Sequence, residues 1–179
     1  MIDIKKINSL DKSEFLSIFG NVFEKSKWIS EKAFDKKPFK NLESFISEII
    51  AIYENSNNKT ILEILNLHPE LAVEKKLTEN SEVEQRNANL KQCTTAEFDE
   101  FKKLNTEYKK KFNFPFIIAV AGLNREMILY YFKDRIKNNM DEEFEEAKAE
   151  VKRIGTIRLN KILVRLDIIL NSKNKSIFG

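Results

Sequence analysis

Apolar residues recur along most of this chain at intervals of three and four, separated by Lys, Glu, Asp and Asn, which is the pattern of amphipathic helices rather than the alternation of strands. Phe15, Ile18, Phe19, Val22 and Phe23 predict a first helix, interrupted or bent near Gly20. Leu42, Phe45, Ile46, Ile49, Ile50 and Tyr53 predict a second, closed by the polar turn Asn55-Ser56-Asn57-Asn58. Ile61, Leu62, Ile64 and Leu65 predict a shorter helix running into Leu67-His68-Pro69. A residue before proline is pushed out of the α region, so His68 should sit at a break, with Pro69 placed to open the next helix.

Ser81-x-x-Glu84 and Thr94-x-x-Glu97 both have the form of a capping box, the second followed by Phe98, Phe101, Leu104 and Tyr108 at helical spacing. The run from Phe112 to Gly122 predicts an extended segment, after which Asn124 caps a helix carrying Ile128, Tyr131, Phe132 and Ile136. A last pattern, Phe144, Ala147, Val151, Ile154, Arg158, Ile162, Arg165 and Ile168, predicts one long helix with Gly155 as the place for a bend. Trp28, with Phe23 and Ile29, reads as core. The expected fold is all-α: one compact helical domain over residues 1–179, of about eight or nine helices, with one short extended segment near 114–121.

Composition agrees with that picture and narrows it. At 179 residues, 42% hydrophobic and 33% charged, the chain can bury one core and remain soluble. Lys and Arg number 31 against 28 Asp and Glu, interspersed, which argues against a dedicated nucleic-acid surface. Lys75-Lys76 and Lys109-Lys110-Lys111 are tight basic clusters that read as solvated helix faces. The longest apolar run, Phe114 to Leu123, contains Pro115 and falls short of the roughly 18 residues that span a bilayer, so no membrane role is expected. The N-terminus lacks the apolar stretch of a signal peptide, and Cys93 is the only cysteine; a cytoplasmic protein without disulfides is expected. One cysteine and one histidine cannot make a four-ligand zinc site, and no glycine-rich phosphate loop occurs, so neither a metal nor a nucleotide cofactor is expected.

Few residues remain that could carry chemistry. His68 is the only histidine, and an unperturbed acid/base working near neutrality must be this residue; the plain alternative is a helix-end cap. Glu84 is accounted for by the Ser81 capping box, but Gln85 beside it offers a donor and an acceptor about 100° further round the helix. The pair could bind an amide-rich ligand. An extended Phe116-Ile117-Ile118-Ala119-Val120 leaves backbone N–H and C=O groups that must find partners, and a ureide or hydantoin-like ligand could be one. Arg158 falls among apolar positions, so it either snorkels, the commoner case, or turns its cation inward toward an anion. Cys93 has no basic neighbour in sequence to make it a reactive thiolate and reads as core.

Taken in order, several segments resemble the 2-oxo-4-hydroxy-4-carboxy-5-ureidoimidazoline (OHCU) decarboxylases. They are Phe19-Gly20-Asn21-Val22-Phe23-Glu24-Lys25-Ser26-Lys27-Trp28, His68-Pro69-Glu70-Leu71-Ala72, Leu77-Thr78 through Ser81-x-x-Glu84-Gln85, Leu104-Asn105-x-x-Tyr108 with Lys111 to Val120, and Ile157-Arg158-Leu159. The resemblance implies an all-α homodimer that decarboxylates a small ureidoimidazoline to (S)-allantoin in urate degradation, without metal or organic cofactor. It implies that His68 is the catalytic acid/base with Glu84. It also implies that Pro69, Ser81, Gln85, Arg158 and the backbone of Phe116, Ile117, Ile118, Ala119 and Val120 bind the substrate. The sequence departs from the family pattern at Lys27, where a proline is usual, at Asn89, where a glycine is usual, and at Ala121, often basic. The alternatives to the decarboxylase reading are a related cofactor-free lyase or hydrolase on another cyclic ureide, and an inactive helical binding module.

Overall fold

The computed structural model describes residues 3–73 and 77–175, with side chains placed through residue 167. Lys75-Lys76 and the side chain of Ile168 lie outside the described residues. Among those described, the chain forms nine α-helices, one 3-10 turn and no strand, which is the all-α class that the three- and four-residue spacing predicts. It divides into two compact units, residues 1–56 with 152–179 and residues 57–151. No helix of the described residues is long and apolar enough to cross a membrane.

The first unit holds α1 (Ile4–Ser9), α2 (Lys12–Phe19), α3 (Lys27–Phe34), α4 (Leu42–Glu54) and the later part of α9 (Met140–Lys175). Its centre is aromatic: Phe15, Phe19, Phe39 and Phe45 pack with ring centroids 4.9 to 6.5 Å apart, and each buried ring is worth about 1.5–3 kcal/mol. The Asn8 side chain both donates to the Phe39 carbonyl and accepts from its N–H, each at 2.8 Å, which seats the loop before α4. The predicted first helix stops at Gly20, where an added Cβ would lie 2.4 Å from the Leu16 carbonyl oxygen. Val22 and Phe23 are buried in the turns that follow. Lys27 opens α3 at the first helical position, where proline is favoured for its fixed φ but any good helix former serves. Trp28 is only half-buried, with Lys32 over its ring at 5.0 Å. Gly155 does not end α9; its missing Cβ makes room for the Phe23 ring, which would be 2.8 Å from such an atom.

The second unit holds α5 (Asn58–Leu67), α6 (Glu79–Asn87), the 3-10 turn Leu90–Gln92, α7 (Thr95–Phe112), α8 (Arg125–Arg135) and the start of α9. Thr94 and Glu97 form the predicted reciprocal capping box of α7, and Asn124 caps α8 by accepting from the Met127 N–H at 2.9 Å. The Ser81 box does not form. The N-cap of α6 is Thr78, so Ser81 lies inside the helix and is buried. No helix opens at Pro69 either, because side chains capture the backbone of the turn that follows it. Asn89 adopts φ 58°, ψ 22°, a left-handed conformation that glycine enters freely and asparagine better than most. Lys111, at the end of the basic cluster, donates at 2.7 Å to the carbonyls of Ile136 and Asn138 beyond α8.

Candidate functional site

α5 delivers the single histidine. The Asn57 side chain caps its N-terminus by accepting from the Thr60 N–H at 2.9 Å, and apolar Ile61, Ile64 and Leu65 bury one face. The helix ends at His68, whose backbone turns extended (φ −72°, ψ 140°) as a residue before proline must. The imidazole is 8% exposed, with Nδ1 2.9 Å from the Ile64 carbonyl oxygen. A carbonyl only accepts, so Nδ1 carries the proton, and in the neutral ring Nε2 is the basic nitrogen. The cap reading of His68 holds, and the capping bond selects the tautomer.

The turn 69–72 is held one residue at a time. Gln85 Nε2 donates to the Glu70 carbonyl and Gln85 Oε1 accepts from the Ala72 N–H, both at 3.1 Å. Asn105 Nδ2 donates to the Leu71 carbonyl at 2.9 Å, and Lys109 Nζ lies 3.5 Å from Glu70 Oε1. Ala72 is thereby kept at φ 52°, a conformation an L-residue adopts only under such constraint. Gln85 thus grips the loop behind Pro69 with both ends of its amide. Ser81 lies one turn before it on the same buried face, and half-buried Glu84 points round the helix from both. A cavity of about 750 Å³ opens beside Gln85, lined also by Ala72, Leu77, Glu82, Leu90 and Cys93; His68 and the 116–120 segment are not in its lining. Cys93 is half-buried rather than core, and burial above all, with Glu97 adding, pushes its thiol pKa up, which keeps it protonated as its sequence context suggests.

The extended segment forms where expected. α7 ends on Asn113 in a left-handed conformation, and Phe114 through Val120 are all buried. Its Phe116 ring stacks on Phe132 at 4.0 Å. Two of its main-chain groups are taken by buried charged side chains: Arg135 Nη1 donates to the Ile117 carbonyl at 2.8 Å, and the Ala119 N–H donates to Glu150. Arg135 in turn is paired with Glu143, which also accepts from Asn138 and from the Tyr108 hydroxyl.

Arg158 belongs to the first unit. It does not snorkel. Its guanidinium is 4% exposed and pairs with Glu24, itself 2% exposed, at 3.2 Å, with the Val22 carbonyl 3.4 Å away. The inward reading of Arg158 is the correct one, and the anion it meets within the chain is Glu24.

Sequence reasoning missed Glu24, Asn105, Arg135, Glu143 and Glu150 as polar groups that shape these segments. A signal was present for two of them: Glu143, Ala147, Glu150 and Ile154 share one helical stripe, and a carboxylate on an apolar stripe is worth asking about. Glu24 and Asn105 occur inside the segments that carry the family resemblance but show no pattern of their own.

Comparison with known proteins adds a second line. The sequence profile of the OHCU decarboxylase family matches residues 8–160. The chain is 35% identical over 162 residues to the "Uric acid degradation bifunctional protein" of Bacillus sp. (strain TB-90), covering 90% of this chain but only 32% of that protein. It is 30% identical over 166 residues to the 2-oxo-4-hydroxy-4-carboxy-5-ureidoimidazoline decarboxylase of Halalkalicoccus jeotgali, covering 93% and 94% of the two chains. The chain thus spans about a third of the first of these relatives and nearly all of the second. Among solved structures, an OHCU decarboxylase crystallised in the presence of (S)-allantoin superposes with TM-score 0.66 at 24% identity, covering 85% of this chain and 98% of that one, and shows a shared fold.

Proposed function

This chain belongs to the OHCU decarboxylase family, and we propose that it is a cofactor-independent carboxy-lyase converting 2-oxo-4-hydroxy-4-carboxy-5-ureidoimidazoline to (S)-allantoin in urate degradation. The observation that carries the residue assignment is the buried His68, whose Nδ1 is committed to the Ile64 carbonyl, leaving Nε2 as the atom that takes or gives a proton. The reaction breaks the bond between the ring carbon and its carboxylate. CO₂ leaves, the electron pair forms a C=C bond to the adjacent imine carbon and the C=N nitrogen takes up a proton. A proton is then placed on one face of that former imine carbon, while the hydroxyl on the decarboxylated carbon gives up its proton and becomes a carbonyl. The substrate supplies its own electron sink, so the protein needs to orient it and to deliver one proton.

Glu84 is proposed as the carboxylate that orients the substrate opposite His68, with Ser81 and Pro69 beside it. Gln85 acts through the turn it grips as much as through any contact of its own. The backbone of Phe116 to Val120 supplies donors and acceptors for a ureide. Arg158, held by Glu24, is proposed to meet a charged or carbonyl group of the substrate. The protein is proposed to work in the cytoplasm as a homodimer, by its likeness to the family.

The test generates the unstable urate-oxidation product in situ and follows the circular dichroism of allantoin as it forms. One enantiomer should appear far faster than by spontaneous decay. His68→Asn should lower kcat by about 10²–10⁴, the usual worth of a positioned acid/base. Glu84→Gln, which removes the charge of the proposed orienting carboxylate, should lower kcat/KM in a variant shown by circular dichroism to be folded. A folded wild type no faster than spontaneous decay overturns the activity, and a folded His68→Asn with near-normal turnover overturns the proton role.

A further inference from the structure

α7 carries on its buried face a polar residue that apolar packing does not call for. Asn105 is 4% exposed and shares that face with Phe101, Leu104, Tyr108 and Phe112, on an 18-residue helix capped at both ends. Its Nδ2 donates to the Leu71 carbonyl at 2.9 Å. That bond fixes which way round the amide sits, because an amide oxygen has no proton to give a carbonyl. Oδ1 is the other end, and it meets no hydrogen-bond donor among the described residues. A buried acceptor without a donor destabilises a fold by at least as much as an ordinary hydrogen bond stabilises it. Leucine, with the same branching and no polar atom, would avoid that cost. It would lack the donor for Leu71.

Leu71 stands in the turn that follows His68-Pro69, and three successive residues of that turn are caught by side-chain amides. Gln85 Nε2 takes the Glu70 carbonyl, Asn105 Nδ2 the Leu71 carbonyl and Gln85 Oε1 the Ala72 N–H. Lys109, one helical turn after Asn105, places Nζ 3.5 Å from Glu70 Oε1. The amides come from two helices, α6 and α7, so the turn is tied to both, and together they hold Ala72 at φ 52°, which an L-residue does not keep unaided. The chain between this clamp and the imidazole is short and stiff. Pro69 fixes its own φ and restricts His68 to the extended backbone that it adopts, at ψ 140°. The ring is therefore set from two sides: by the Nδ1 bond to the Ile64 carbonyl, and by where the turn carries the chain beyond Pro69.

We propose that Asn105 is a positioning residue of the decarboxylation: through the Leu71 carbonyl, and together with Gln85, it holds the turn 69–72 and thereby fixes the direction in which His68 presents Nε2. It touches no substrate in this role. The inference rests on the decarboxylase reading and adds to it a residue on α7, a helix that reading does not use. The buried Oδ1 marks the role, since a polar group kept at a cost to stability points to a demand other than stability.

His68 is the only histidine in the chain, so one set of imidazole signals in a ¹H–¹⁵N spectrum reports it alone. In wild type with a neutral ring, those signals should show the proton on Nδ1. Asn105→Leu, which removes the donor and the unmet acceptor together, should keep its helical circular dichroism and shift the ring toward the Nε2–H tautomer. Its kcat should fall about 10²-fold, the effect of a small misplacement of a reacting group, while KM changes by about twofold or less. Ala72→Gly alone should leave kcat near wild type, because glycine takes a positive φ without strain. Added to Asn105→Leu, it should restore much of kcat and of the Nδ1–H form, since the turn then keeps its shape with less help. Wild-type kcat and ring signals in folded Asn105→Leu, a loss confined to Tm, or no recovery on adding Ala72→Gly would overturn the proposal. So would failure of both Asn105→Leu and Asn105→Ser to fold, which would assign Asn105 to folding alone. The ring signals need no turnover. A wild type that does not decarboxylate removes the decarboxylase reading, whereas the tautomer in Asn105→Leu still decides whether Asn105 sets the imidazole.

Discussion

Single residues in this protein do work that their type alone does not announce. Gly155 sits at a place where a glycine suggests a bend, yet the helix continues and the missing side chain serves the Phe23 ring instead. Gly155→Ala would gain about 1 kcal/mol in helix propensity but press a methyl carbon to 2.8 Å from Phe23, and overpacking typically costs about 1–3 kcal/mol. A net loss of stability is expected in urea denaturation. A stabilised variant would show that the ring moves aside freely. Asn89 answers a similar question at one of the positions where the sequence departs from its family. The site demands a left-handed backbone, which explains why glycine is usual there and why asparagine is a workable substitute. The departure is a matter of backbone conformation and touches no proposed catalytic group.

At the scale of elements, the caps decide where helices begin, and two look-alike sequences behave differently. Thr94-x-x-Glu97 makes both reciprocal bonds, whereas Ser81-x-x-Glu84 makes none of them because α6 starts three residues earlier. Thr94→Ala should destabilise the protein by about 1 kcal/mol in thermal or chemical unfolding. The Glu97 pKa is lowered, chiefly by the Thr94 backbone N–H that its carboxylate accepts from. A depressed carboxylate pKa contributes stability that is fully present above the unfolded value, about 4.3, and lost as pH falls through the folded value. Wild type and Glu97→Gln should therefore differ in Tm at neutral pH and converge in acid once the pH has fallen through the lowered folded value of Glu97; a gap that persists there would assign the difference to shape rather than charge. The extended segment 114–120 is an element of another kind. It belongs to no sheet, and buried charged side chains replace the ladder that a neighbouring strand would supply.

At the scale of the whole molecule, the proposed homodimer calls for sedimentation equilibrium, where about twice the 21.0 kDa chain mass is expected at micromolar concentration; a monomer that still turns over would remove the dimer from the mechanism. The all-α class, the ends of α4, the caps of α7 and α8, the break at His68 and the extended run near 114–120 were legible in the sequence. Each is a local matter of apolar spacing, capping chemistry or the proline that follows, acting over one or two turns. The short helices α1 and α3 and the true start of α6 were not, since six to nine residues carry too few apolar positions to show a period. The family resemblance picked out His68, Glu84, Gln85 and Arg158 by order along the chain, but not what each one touches. That Gln85 grips Glu70 and Ala72, that Arg158 turns inward to Glu24, and that Arg135 and Glu150 bond to the main chain of the extended segment rest on pairs 13 to 134 residues apart. Such pairs leave no trace in spacing, because a buried charge shows its partner only once the chain has brought the two together.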